Sequence, residues 1–112
     1  MKVVIAGSRS IHKSVDRYIS ESGFNITEVV SGGAIGVDRS GEEWARASNI
    51  PITYFIPAWD KHGKSAGFIR NRQMATYADA LIAIWDGKSK GTLDMINSMA
   101  LQNKPIYVCT VN

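Results

Sequence analysis

Four short segments of this chain carry residue types suited to holding an anion. Gly7-Ser8-Arg9 follows the apolar run Val3-Val4-Ile5-Ala6, and Ser31-Gly32-Gly33-Ala34-Ile35-Gly36-Val37-Asp38 follows Glu28-Val29-Val30. In both, small residues end a strand and lead into a helix, which leaves backbone N–H groups free to meet phosphate. Ser8 adds a hydroxyl and Arg9 a planar cation. Ser31, Gly32, Gly33, Ala34 and Gly36 keep the second turn small, and Asp38 adds a carboxylate. That carboxylate can meet a ribose hydroxyl or Arg9, or it can steady the start of its own helix through the helix dipole. The third segment, Asp86-Gly87-Lys88-Ser89-Lys90-Gly91-Thr92, sets glycines, lysines and hydroxyls before another helix. The fourth is Phe68-Ile69-Arg70-Asn71-Arg72, where Arg70 and Arg72 cannot share a helix face, so one of them reaches a ligand and the other serves the rim. Between them runs Pro57–Gly67, in which Trp59 can stack a base and Lys64 can neutralise charge.

Two familiar chemistries are excluded. The second turn is not the G-x-G-x-x-G dinucleotide fingerprint, and no acidic residue ends the next strand to hold a ribose. The third segment has the ingredients of G-x-x-x-x-G-K-[ST] but no Lys-Ser or Lys-Thr pair after Gly91, so triphosphate hydrolysis is set aside. His12 and His62 stand apart without a nucleophile–acid pattern, and Cys109 is the single cysteine. Neither a disulfide nor a clustered metal site is therefore expected, and no cofactor is called for.

The elements that must position these segments follow from apolar patterning. Five apolar runs, Lys2–Ala6, Glu28–Ser31, Ile52–Phe55, Ala80–Trp85 and Pro105–Cys109, alternate with helical patterns at Lys13–Ser22, Val37–Ala47, Ala66–Tyr77 and Thr92–Gln102. The run Ala80–Trp85 is apolar throughout, as a strand covered on both faces should be. Val37, Gly41, Trp44, Ala45 and Ala47 form one expected packed stripe, with Arg39, Glu42, Glu43 and Arg46 outside it. Leu93, Ile96, Met99 and Ala100 form another. Pro57–Gly67 lacks an apolar period and is expected to be an irregular binding loop. Strand–helix alternation predicts an α/β, Rossmann-like, three-layer α/β/α fold with a five-stranded parallel sheet in the order 3-2-1-4-5. Ligands in such sheets bind beyond the carboxyl ends of the strands, where the order reverses between strands one and four.

Composition sets outer bounds. The 112 residues are 45% hydrophobic, which fits one globular domain over residues 1–112. The net charge of +3 lies entirely in residues 57–92, where Lys61, Lys64, Arg70, Arg72, Lys88 and Lys90 face Asp60, Asp79 and Asp86. The start of the chain has no basic region followed by a long apolar run, and no stretch approaches the roughly 20 apolar residues of a membrane span. A cytoplasmic protein with no membrane partner is expected.

Taken together, Val4-Ile5-Ala6-Gly7-Ser8-Arg9, Val30–Asp38 and Phe68–Arg72 resemble the G-S-R, S-G-x-A-x-G-I-D and F-x-x-R-N-R segments of the SLOG superfamily, which joins DprA/Smf proteins and Lonely Guy enzymes. The chain is most similar to its small YspA-like, YpsA-related branch. The resemblance implies a crevice that binds a nucleotide or nucleotide-derived signalling ligand, such as an ADP-ribose-like or cyclic molecule, sensed or sequestered in conflict between bacteria and phages. Two alternatives come with it: single-stranded DNA binding, as in DprA, and cleavage of a nucleoside monophosphate, as in the Lonely Guy phosphoribohydrolases. The latter use an Arg, whose place Arg70 takes, and a Glu in P-G-G-x-G-T-x-x-E, where this chain has Met95 with Asp94 one position off. An enzyme would rely on Arg70 with Asp94, Asp38 or Asp86 supplying the carboxylate, and the missing Glu favours binding over hydrolysis. A homodimer or higher homo-oligomer is expected.

Overall fold

The computed structural model describes residues 1–111. Five strands, β1 (Lys2–Gly7), β2 (Glu28–Ser31), β3 (Ile52–Tyr54), β4 (Ala80–Trp85) and β5 (Ile106–Thr110), form one parallel sheet in the order β3-β2-β1-β4-β5. Helices α1 (Asp16–Ser22), α2 (Val37–Ala47), α3 (Trp59–His62), α4 (Ala66–Tyr77) and α5 (Lys90–Leu101) connect them. The predicted sheet order is thus observed.

Alternation along the strands builds two cores, because successive side chains leave a strand on opposite faces. Val3, Ile5, Val29, Ile82 and Ile84 pack with Ile11, Val15, Tyr18, Ile19, Val37 and Ala45, under α1 and α2. Val4, Ala6, Val30, Leu81 and Ala83 pack with Met74, Ala75, Met95 and Met99, under α4 and α5. Every residue from Ala80 to Ile84 is buried, as its unbroken apolar run predicts.

The sequence-based expectations need five corrections. Ala47, expected in the packed stripe of α2, is exposed in the last turn, where the helical period carries it away from Gly41 and Ala45. Helix α1 begins at Asp16 and not at Lys13, because the Ser14 hydroxyl accepts the Asp16 N–H at 3.3 Å and closes a local turn just before it. The segment 57–67 is not irregular. The N–H groups of Lys61 and His62 both donate to the Ala58 carbonyl, which winds α3, and a 3-10 turn follows over Gly63–Ser65. The core face of α5 is Thr92, Met95 and Met99, while Leu93 is 41% exposed. Met99 of the expected stripe is buried and Ile96 packs partly against the same core, whereas Leu93 and Ala100 are exposed; because α5 packs against both α4 and β4, Thr92 and Met95 take the inner face in their place. Finally, Glu42 is buried beneath α2, because its carboxylate accepts the buried Ser31 hydroxyl at 2.6 Å. Among the described residues, no helix is long and apolar enough to cross a membrane.

Candidate functional site

The carboxyl ends of β1 and β4 meet where the sheet order reverses, and their closeness comes from a glycine. A Cβ at Gly7 would overlap the Ile84 carbonyl. One step on, the Ser8 N–H donates to that carbonyl at 3.1 Å, and the Ser8 hydroxyl accepts the Asp86 N–H at 3.0 Å. Ser8 therefore stitches the β1–α1 loop to the β4–α5 loop, and it is buried. Arg9 beside it is exposed. Gly36 locks the next turn against this loop. It sits at φ 78°, and a side chain there would meet the carbonyl oxygens of Ser8 and Arg9 at 2.6 Å.

The β4–α5 loop is held by its own hydrogen bonds. One Asp86 carboxylate oxygen accepts the N–H groups of Lys88 and Ser89, both at 2.8 Å, which holds this carboxyl below its ordinary range. The Trp85 indole donates to the Ser89 carbonyl at 3.0 Å. Ser89 caps α5, its hydroxyl accepting the Thr92 N–H at 3.4 Å.

Helix α4 supplies the link across the crevice. The Arg70 guanidinium donates to the Gly32 carbonyl at 2.6 Å and to the Asn71 side-chain oxygen at 3.1 Å. The Asn71 amide in turn donates to the Gly91 carbonyl at 3.2 Å and to the Asp94 carboxylate at 3.0 Å. The β2–α2 turn, α4 and the start of α5 are thereby fixed relative to one another. Behind the turn, the Ser31 hydroxyl accepts the Gly33 N–H at 3.1 Å while donating to Glu42.

These loops surround a cavity of about 480 Å³. That volume lies in the ordinary range of small-molecule sites. Of the residues singled out from sequence, Gly7, Ser8, Arg9, Ala34, Asp38, Trp59, Lys64, Arg70, Asn71, Asp86, Gly91 and Thr92 line it. Ser31, Gly32, Gly33, Gly36, Gly87 and Lys88 do not. Ser31, Gly32 and Gly36 are buried in the turns next to it, and Gly33, Gly87 and Lys88 are exposed to solvent. Ser10, Gly67, Phe68, Met74, Ser89 and Met95 line it without having been singled out. Two of them had a usable signal: Ser89 is a cap residue three positions before Thr92, and Phe68 adjoins Arg70. Trp59 stands at the rim, half exposed, with its indole over the start of α4 at Gly67.

The carboxylates near the cavity differ sharply. Asp86 is engaged by its own loop, and Asp94 accepts the Asn71 amide and is not among the lining residues. At the neighbouring position Met95 puts an apolar side chain into the cavity. Asp38 is 6% exposed, lines the cavity, and accepts the Ala34 N–H at 3.2 Å. Burial pushes its carboxyl up to about 6, against the pull of the Ala34 and Gly7 N–H groups and the Arg70 charge, and with the help of nearby Glu42. Burial also lowers the Arg70 guanidinium; Asp38 opposes that and Arg9 adds to it.

Comparisons with known proteins bear on the family and the fold. Residues 1–62 match the model of the YspA, cpYpsA-related SLOG family. Gene 61 protein of Mycobacterium phage D29 is 31% identical over 103 residues, spanning 81% of this chain and 82% of the phage protein. The X-ray structure of DNA processing protein A (DprA) from Streptococcus pneumoniae superposes with a TM-score of 0.78 at 20% identity, covering 99% of this chain. This chain spans 50% of the length of that DprA chain.

Proposed function

The chain belongs to the YspA, cpYpsA-related SLOG family, and from that premise we propose that its crevice binds a nucleotide or a nucleotide-derived signalling ligand. One observation carries this reading. A single cavity brings Arg9, Lys64 and Arg70 together with the start of α5 at Gly91 and Thr92, and with the Trp59 indole at its rim. Cations and a helix N-terminus suit phosphate, and the indole suits a base. Arg70 is pre-set for the task, because the Gly32 carbonyl and Asn71 hold its guanidinium before any ligand arrives.

Binding without cleavage fits the lining better than hydrolysis. Helix α5 presents Met95 to the cavity and turns Asp94 towards Asn71. The ligand is then sensed or sequestered, and the phage-encoded relative supports a role in the contest between phages and their hosts. The hydrolytic alternative rests on Asp38, whose carboxyl is raised to about 6 and so suits an acid near neutral pH.

Mass spectrometry of small molecules released from natively purified protein tests the proposal. A phosphorylated, base-bearing molecule from the wild type, absent from an Arg70→Ala preparation of equal folded content, is the expected result. Equal yields from both preparations would overturn it. Free base accumulating when nucleotides are incubated with protein at high concentration would replace binding with cleavage.

A further inference from the structure

Asp38 is the one group in the cavity that phosphate binding leaves without a task. Its carboxylate is 6% exposed, yet it lines the cavity. Ala34 N–H engages Oδ2. The Gly7 N–H also acts on the carboxylate, and among the described residues no sealed side-chain oxygen lacks a hydrogen-bond partner, so the carboxylate keeps contact with the cavity it lines. A buried carboxylate facing an otherwise cationic pocket calls for a specific partner on the ligand.

The chemistry of that partner can be narrowed. A phosphate is excluded at Asp38 by like charge, and is better met by Arg9, Lys64 and the start of α5. A cationic group is also disfavoured, because the Arg70 charge already acts on Asp38 and Arg9 acts in turn on Arg70. The partner is therefore a neutral donor. On a nucleotide the neutral donors are sugar hydroxyls and the amino or ring N–H groups of the base. The base is drawn to Trp59 on the rim, whereas Asp38 stands deep in the crevice near the Gly7 N–H, at the end of β1. The sugar is the part of the molecule that lies between base and phosphate.

We propose that Asp38 reads the ribose: its carboxylate accepts hydrogen bonds from the sugar hydroxyls, so the ligand is a ribonucleotide and not a deoxyribonucleotide. This rests on the nucleotide-binding reading above and deepens it. It also separates the crevice from single-stranded DNA, whose sugars lack the 2′-hydroxyl and use the 3′-oxygen in the backbone.

Calorimetric titration of the wild type with the four ribonucleoside 5′-monophosphates and ADP-ribose, beside the 2′-deoxy monophosphates, tests it. A hydrogen bond to a charged group predicts affinities about ten- to a hundredfold weaker for the deoxy compounds. Asp38→Asn, shown folded by its melting transition, should lose most of that preference. Ribo and deoxy compounds binding within about twofold of each other would overturn the ribose assignment while leaving nucleotide binding intact. So would a preference undiminished in folded Asp38→Asn. If none of the nucleotides binds, the nucleotide reading fails and the ribose assignment fails with it. Should Asp38→Asn not fold, the wild-type comparison decides alone.

Discussion

Replacing Asp38 with Asn should stabilise the protein at neutral pH and do so less and less as the pH falls. The wild-type carboxyl is lifted from 3.8 to about 6, chiefly by burial. An acid with a raised folded-state value favours folding in its protonated form. That contribution is fully present below 3.8 and is lost as the pH rises through about 6. At about 1.4 kcal/mol for each pH unit, burying the Asp38 carboxyl costs the folded state about 3 kcal/mol at pH 7.5, where it stays ionised, and about 1 kcal/mol at pH 4.5, where it must take up a proton on folding. These values already include the opposing influences of Arg70, Glu42 and the Ala34 and Gly7 N–H groups. Asn is close in shape to the neutral acid and can still accept the Ala34 N–H. The assay is urea unfolding of both proteins across pH 4–8. Asn should lead at pH 7.5 by about 3 kcal/mol, roughly 10 °C in melting midpoint, with the gap shrinking to about a third at pH 4.5. A less stable Asn variant at pH 7.5, or a gap that does not change with pH, would refute the reasoning. A stabilising change that impairs binding is the expected signature of a residue kept for function.

Other substitutions probe the scaffold of the crevice. Gly36→Ala forces a side chain into φ 78° and against the Ser8 and Arg9 carbonyls at 2.6 Å, so its unfolding free energy in urea should fall by more than the roughly 1–3 kcal/mol of backbone strain alone. Ser89→Ala removes the cap of α5 and should cost about 1 kcal/mol in urea unfolding. Arg70→Ala frees the Gly32 carbonyl, so amide exchange at Gly33 and Ala34 should quicken while exchange in β4 stays slow. Trp59→Ala should leave the fold unchanged, because the indole is 51% exposed, yet weaken nucleotide affinity by about ten- to a hundredfold in fluorescence or calorimetric titration.

The sheet was readable from sequence because all of its signals agree. Apolar runs of strand length alternate with helical patterns, and Ala80–Trp85 reads as doubly covered. The crevice was readable because glycine-marked turns fall at the carboxyl ends of strands. What could not be read depends on contacts between elements distant in the chain. Glu42 carries the same charge as Glu43, and its contacts with the Ser31 hydroxyl at the end of β2, with Tyr54 and with Arg46 explain why the first is buried and the second exposed. The choice between the Leu93 and Met95 rows on α5 is made by α4 and β4, outside the helix's own sequence. Helix α3 is a single turn with no buried residue, so it leaves no apolar period to detect. Gly32 and Gly36 read as cradle residues but form the frame behind the cavity, since glycine serves a close backbone approach and a ligand contact equally well.

The central claim is that Arg70, held by Gly32 and Asn71, anchors a nucleotide in the switch-point cavity. Calorimetric titration of wild type and Arg70→Ala with AMP and ADP-ribose tests it most directly. The wild type should bind at least one of them at a single site, and folded Arg70→Ala should bind that compound at least tenfold more weakly. Equal affinity in both proteins, or no heat from either compound with the wild type, would contradict it.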